Sequence, residues 1–268
     1  MSSSLNRNTD AVILACRNIP KGEAYKKELE EQAAAAGRPA PKLEVMELDV
    51  SSLASVRSFA KAWLARKEPL HVLVNNAGII AMSAPYTLTA EGFENHLMGH
   101  PARVVNVASK LHYMGAVRKD DLNLQKGYKC IDAYCQSKLL QVLFAGELER
   151  RASGRVRSLA LHPGEVLTFA APPQPSATQR LSRKIMASLL LSPEQGTRLS
   201  VVCGARSTVY CATAPQVEQE RDKVYYHSSC LPITPNPLAL DRDLAGWLWD
   251  WSAEAVALGS EHNLPPAA

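Results

Sequence analysis

Tyr134 and Lys138 stand four residues apart in Tyr134-Cys135-Gln136-Ser137-Lys138, so on a helix their side chains share one face. An ammonium beside a phenol favours the phenolate. A tyrosine lowered in this way passes a proton to or from a substrate oxygen near neutral pH. The plainer alternative is a half-buried tyrosine with a solvated lysine, since many helices contain this pair by chance. Upstream, RVVNVAS reads as a strand that ends at Ser109. Ligands of parallel sheets lie outside the carboxyl ends of the strands, so Ser109 is expected to face the same crevice as Tyr134. There its hydroxyl can bond a substrate carbonyl and stabilise charge developing on the oxygen; the alternative is a turn cap.

Two more strand ends add to this set. NNAG at Asn75–Gly78 offers a glycine that lets backbone approach a ligand, and asparagines that can tie neighbouring strand ends together. HPGEV at His162–Val166 puts a Pro-Gly turn against the wall of the same crevice. Each has a turn-only alternative, but such features at successive strand ends point to one site.

Positioning these residues requires a particular set of elements. Short β-rich or alternating runs predict strands at Ala11–Arg17, Lys42–Val50, His71–Asn75, Arg103–Ala108, Val156–Leu161 and Lys223–Tyr226. Helical patterns run over Gly22–Ala36, from a Ser52 cap to Lys67, over Asp132–Arg151, and over Leu238–Leu258 with its Trp247, Trp249 and Trp251. Ser182–Leu191 is amphipathic and leads into SPEQG, a helix start. Strands alternating with helices give a doubly wound, mostly parallel sheet, a Rossmann-like α/β fold. With no linker or repeat, one domain is expected over residues 1–268, with residues 1–10 irregular.

The order LDV, NNAG, VVNVAS, AYCQSK, HPGEV resembles the short-chain dehydrogenase/reductase family, from about Val12 to Leu258. Within it, ACRN, HVLVNNAG and VYCATAP resemble the branch of retinol-dehydrogenase-like and WW-domain-containing-oxidoreductase-like members. The resemblance implies hydride transfer between NADP(H) and an alcohol or carbonyl substrate, with NAD(H) the lesser expectation. It implies Tyr134 as acid/base, Lys138 lowering its pKa and bonding the nicotinamide ribose, and Ser109 orienting the substrate oxygen. Asn95, in Asn95-His96-Leu97, is a fourth catalytic candidate; the alternative is an ordinary helix-surface asparagine. Asp49 and Val50 would border the adenine, Asn76, Ala77 and Gly78 would line the cofactor, and Pro163, Gly164 and Val166 would pack near the nicotinamide. Arg17 falls where NADP-preferring members hold the 2′-phosphate, which suits a guanidinium by charge and bidentate geometry.

Three departures from the family pattern set the alternatives. The glycine-rich turn that carries backbone N–H groups to the pyrophosphate is not found in MSSSLNRNTD, so the sheet is expected to be incomplete at its first strand and helix. In the usual strand order the Ala11–Arg17 strand then lacks a neighbour on one side. The stretch Gly78–Ser109 is short for a substrate loop and a crossover helix, and TRLSVVCG at Thr197–Gly204 looks inserted. The alternatives to an active enzyme are therefore a catalytically impaired relative (a splice form or an imperfect gene product) serving as a binding or regulatory module, or a chain that does not fold stably.

Composition excludes little else. The chain has 268 residues, 46% hydrophobic and 21% charged, with a formal net charge of +4. The interspersed charge argues against nucleic acid as a partner, and no apolar run approaches a membrane span. A small-molecule substrate, a cytoplasmic location and compatibility with a homodimer are the expectations. The six cysteines show no metal-ligand spacing, so no metal is expected.

Overall fold

The computed structural model describes residues 11–77, 103–152, 155–164, 205–259 and 264. They form two compact units, dividing at residues 69 and 70. In the first, β1 (Val12–Cys16) pairs in parallel with β2 (Leu43–Glu47), Val12 opposite Leu43 and Cys16 opposite Glu47. Between them runs α1 (Ile19–Ala35), and α2 (Leu53–Ala65) follows β2. Ser52 caps α2 as expected, accepting from the Ser55 N–H at 3.3 Å. Helix α1 begins earlier than Gly22, because Asn18 caps it at the Lys21 N–H (2.9 Å) and Pro20 suits the first turn. Gly22 lies inside the helix and lets it sit close on the strands: a Cβ there would stand 2.7 Å from Cys16 Sγ and from Val45 Cγ1. None of the described residues of this unit is buried.

The second unit holds a four-stranded parallel sheet in the order β3 (Leu73–Asn75), β4 (Val104–Val107), β5 (Ser158–Leu161), β6 (Tyr225–Tyr226). β4 and β5 are buried at every residue, as a sheet covered on both faces demands. Side chains alternate between the faces. Ala160 and Tyr225 join a cluster with Leu139, Val142 and Leu143 of α3 (Cys130–Arg151) and Leu244 and Leu248 of α4 (Arg242–Ala255). Val105, Val107, Leu159, Leu161 and Tyr226 face the other way, onto Cys211 and Ala212 of the helical residues 205–213. Helices thus cover both faces, the doubly wound arrangement predicted from the alternation of elements.

One predicted element is corrected. Leu238–Leu258 is not a single helix: a 3₁₀ turn, Pro237–Leu240, precedes α4. Asp241 separates them and caps α4, its carboxylate accepting from the Leu244 N–H at 2.9 Å. The Ser182–Leu191, SPEQG and Thr197–Gly204 readings lie outside the described residues. Among the described residues no helix is long and apolar enough to cross a membrane, and no group of His, Cys, Asp or Glu is arranged to hold a metal ion.

Candidate active site

Ser109 lies two residues past the end of β4 and begins the 3₁₀ turn Lys110–Met114. Its hydroxyl accepts from the Leu111 N–H at 3.2 Å, so it is the turn cap that one reading of the sequence allowed. The same hydroxyl stands beside the phenol of Tyr134 on α3, whose pKa it pulls down by hydrogen bonding. Gly115, which ends the turn, sets how near the serine comes to that helix. A Cβ at Gly115 would lie 2.6 Å from the Cys135 carbonyl oxygen and 2.8 Å from Leu139 Cβ. Those are the residues just past Tyr134 and Lys138, so the missing methyl brings the serine turn against the helix that carries both.

Tyr134 is 6% exposed and Lys138 is 7% exposed. The Lys138 ammonium lies 5.5 Å from the centroid of the Tyr134 ring, one helical turn on. Its Nζ donates to the Val107 carbonyl and to Gln141 Oε1, each at 3.0 Å. Two of its three N–H bonds are thereby used, and the third is left for another acceptor. Burial pushes Lys138 down to about 8. Burial also pushes the Tyr134 phenol above its ordinary value, while the Ser109 hydrogen bond pulls it down. The expected lowering of Tyr134 by Lys138 is therefore not the governing effect in this state: the phenol is protonated at neutral pH, the form a general acid needs.

The neighbouring strands β3 and β5 run parallel to β4, so their ends lie at the same edge of the sheet. Asn75, ending β3, donates from Nδ2 to Asn106 Oδ1 at 3.1 Å, and Asn106 passes its own Nδ2 to the Leu159 carbonyl at 3.2 Å. The asparagine ties read from NNAG are present, and they run across three strands. Asn76 and Ala77 follow as exposed residues. Pro163 and Gly164 follow the end of β5; Gly164 has φ +99°, a conformation that a side chain would strain. His162, just before them, is 5% exposed, and its Nδ1 has no hydrogen-bond partner among the described residues. Burial first, then the nearby His227, Lys110 and His112, push His162 down to about 4. Gly78, Asn95 and Val166 lie outside the described residues.

In the first unit, Arg17 follows β1 and is exposed, and Asp49 and Val50 follow β2. The Asp49 carboxylate accepts from the Ser51 N–H (2.9 Å) and hydroxyl (2.6 Å), which together with the Arg17 charge hold it below its ordinary value. Sequence reasoning missed Gly115, Gln141, His112 and His162. Gln141 was within reach, since it shares a helix face with Lys138. No local pattern announces Gly115 or His112, and HPGEV brought in His162 only as the first residue of a turn.

A family profile described as short chain dehydrogenase matches residues 1–178. Retinol dehydrogenase 12 of Bos taurus is 35% identical, over 95% of this chain and 81% of that protein. Retinol dehydrogenase 11 of Homo sapiens is 33% identical, over 92% and 78%. The dehydrogenase/reductase SDR family member FEY of Arabidopsis thaliana is 30% identical, over 92% and 72%. Among solved structures, an uncharacterized protein from Mycobacterium Paratuberculosis matches with a TM-score of 0.65 at 29% identity, covering 95% of this chain and 85% of that one.

Proposed function

The chain belongs to the short-chain dehydrogenase family, and from that premise we propose that it is an NADP(H)-dependent oxidoreductase acting on an apolar alcohol or carbonyl compound. One observation carries the proposal: the Ser109 hydroxyl is hydrogen-bonded to a buried tyrosine whose ring has a lysine ammonium 5.5 Å from its centroid. NADP(H), when bound, supplies or accepts the hydride. The Ser109 hydroxyl holds the substrate oxygen and stabilises the charge that grows on it. Tyr134 Oη delivers its proton to that oxygen in reduction and takes it back in oxidation. Lys138 keeps positive charge beside the phenol while it is deprotonated.

The residues present suit the cofactor. Beyond its two bonds Lys138 has a third N–H with no acceptor among the described residues, which a ribose hydroxyl can accept. Gly164 has φ +99°, a conformation that glycine adopts without strain at the strand end. Pro163, Asn76 and Ala77 stand at the ends of β5 and β3, and Arg17 presents an exposed guanidinium suited to a 2′-phosphate. The apolar substrate is supported by the two relatives named retinol dehydrogenases.

Purified protein should quench or enhance NADPH fluorescence saturably and reduce retinal. Tyr134→Phe should lower kcat by about 100-fold or more, with cofactor affinity little changed. Absence of saturable NADPH binding at millimolar concentration would sink the reading. A second reading, a binding module without turnover, is favoured by one observation: none of the described residues of the β1–β2 unit is buried. It predicts NADPH binding with no turnover for Tyr134→Phe to remove.

A further inference from the structure

His112 lies on the 3₁₀ turn that begins at Ser109 and has no exposed surface. Its ring is wedged between Tyr113 and Tyr225, with centroids 4.1 and 4.4 Å away. The backbone N–H of Asn236 points at its Nε2, at 3.1 Å. A backbone N–H can only donate, so Nε2 accepts and the ring proton sits on Nδ1. Nδ1 lies 2.8 Å from the Ser109 carbonyl, to which it donates. The Asn236 side chain grips the same turn from outside: Nδ2 donates to the carbonyls of His112 (3.3 Å) and Tyr113 (3.1 Å). Its Oδ1 accepts from the Leu238 N–H at 2.8 Å, so no atom of that amide is idle.

The contact joins residues 124 apart in the chain and acts on the one turn whose serine meets Tyr134. We propose that His112 is a positioning residue for Ser109. It holds the Ser109 carbonyl through Nδ1–H, is itself held in that tautomer by Asn236, and so fixes the direction of the serine hydroxyl. The inference rests on the oxidoreductase reading for its effect on turnover, but the geometry can be tested without turnover.

Two substitutions separate the two ring nitrogens. In His112→Asn a side-chain N–H replaces Nδ1–H, and the acceptor at Asn236 is lost. In His112→Gln an oxygen replaces Nε2, and the donor to Ser109 is lost. Retinal reduction with NADPH should show kcat falling about 10- to 100-fold in His112→Gln, the scale on which a misplaced catalytic group loses rate. KM for retinal and the NADPH dissociation constant should change little, and His112→Asn should recover most of the kcat. Equal losses in the two variants, or a kcat unchanged in His112→Gln, would overturn the proposal, since a merely structural clasp gives no such split.

Two readouts are independent of activity. Ring ¹⁵N spectra of the wild type should show the proton on Nδ1, and an Nε2–H tautomer would overturn the clasp. Exchange of the Leu111 amide, which is bonded to Ser109 Oγ, should quicken in His112→Gln, and an unchanged rate would overturn the positioning role. If the wild type turned over no substrate while both readouts came out as expected, the oxidoreductase reading would fall and the positioning of Ser109 would stand.

Discussion

Lys138 works against its own surroundings. At 7% exposure it is pushed down to about 8, well below the ordinary lysine value of 10.5. The unfolded chain therefore binds more protons between pH 8 and 10.5, so stability rises with pH across that window, and below it the buried ammonium is a burden. Lys138→Met should remove turnover and yet raise stability at pH 7, by about 1–3 kcal/mol once solvent relaxation discounts the full shift. Urea melts of the two proteins check it: a less stable variant would mean that the bonds to Val107 and Gln141 outweigh burial. Gly115→Ala should act in the opposite sense on the same machinery. Its methyl meets backbone and Cβ atoms of α3 that cannot swing away. A loss of about 1–3 kcal/mol and a fall in kcat exceeding any rise in KM are expected from thermal melts and steady-state rates. At this scale the sequence was legible where partners share one element. Tyr134 and Lys138 announce each other by spacing, whereas the partner of His112 lies 124 residues away and nothing local points to it.

Among elements, the end of β5 carries the acid sensitivity. His162 is held neutral, with a folded value of about 4 against an ordinary 6.5. A group depressed on folding lends stability that is fully present above its unfolded value and is lost as pH falls through the folded one. The window here runs from about 6.5 down to about 4, and the loss is at most about 3 kcal/mol. His112, also lowered by burial, adds in the same direction. Stability followed by urea at stepped pH should drop through this window, and His162→Gln should flatten the slope; an equally steep drop in the variant would place the sensitivity elsewhere. Element boundaries show where periodicity misleads. The apolar pattern runs on through Leu238–Leu258, and only the caps at Asn236 and Asp241 reveal a 3₁₀ turn followed by a helix. Asn18 and Pro20 likewise start α1 before the glycine that looked like its beginning.

For the molecule as a whole, burial is unequal. The sheet β3–β6 has a core on each face, while none of the described residues of the β1–β2 unit is buried. Hydrophobic burial is the main favourable term in folding, so the two units should differ in local stability. Backbone amides of Val12–Ala65 should exchange early and those of β4, β5 and α3 last; equal protection would contradict this. The alternation of strands and helices made the parallel, doubly wound arrangement readable in advance, since a crossover leaves its period in the sequence. Depth of burial was not readable. The strand Ala11–Arg17 is as apolar as Arg103–Ala108, and what separates them is how many elements cover each. The chain of amides from Asn75 through Asn106 to Leu159 has a kinetic consequence for assembly. Asn106 is 3% exposed, and both ends of its amide are matched only when β3, β4 and β5 are in their native offset. A pairing slipped by two residues keeps every apolar side chain on its proper face but strands that amide, at about 1–3 kcal/mol. Asn106 thus acts as a proofreader of strand register, and Asn106→Leu should refold with added slow phases from mispaired sheets.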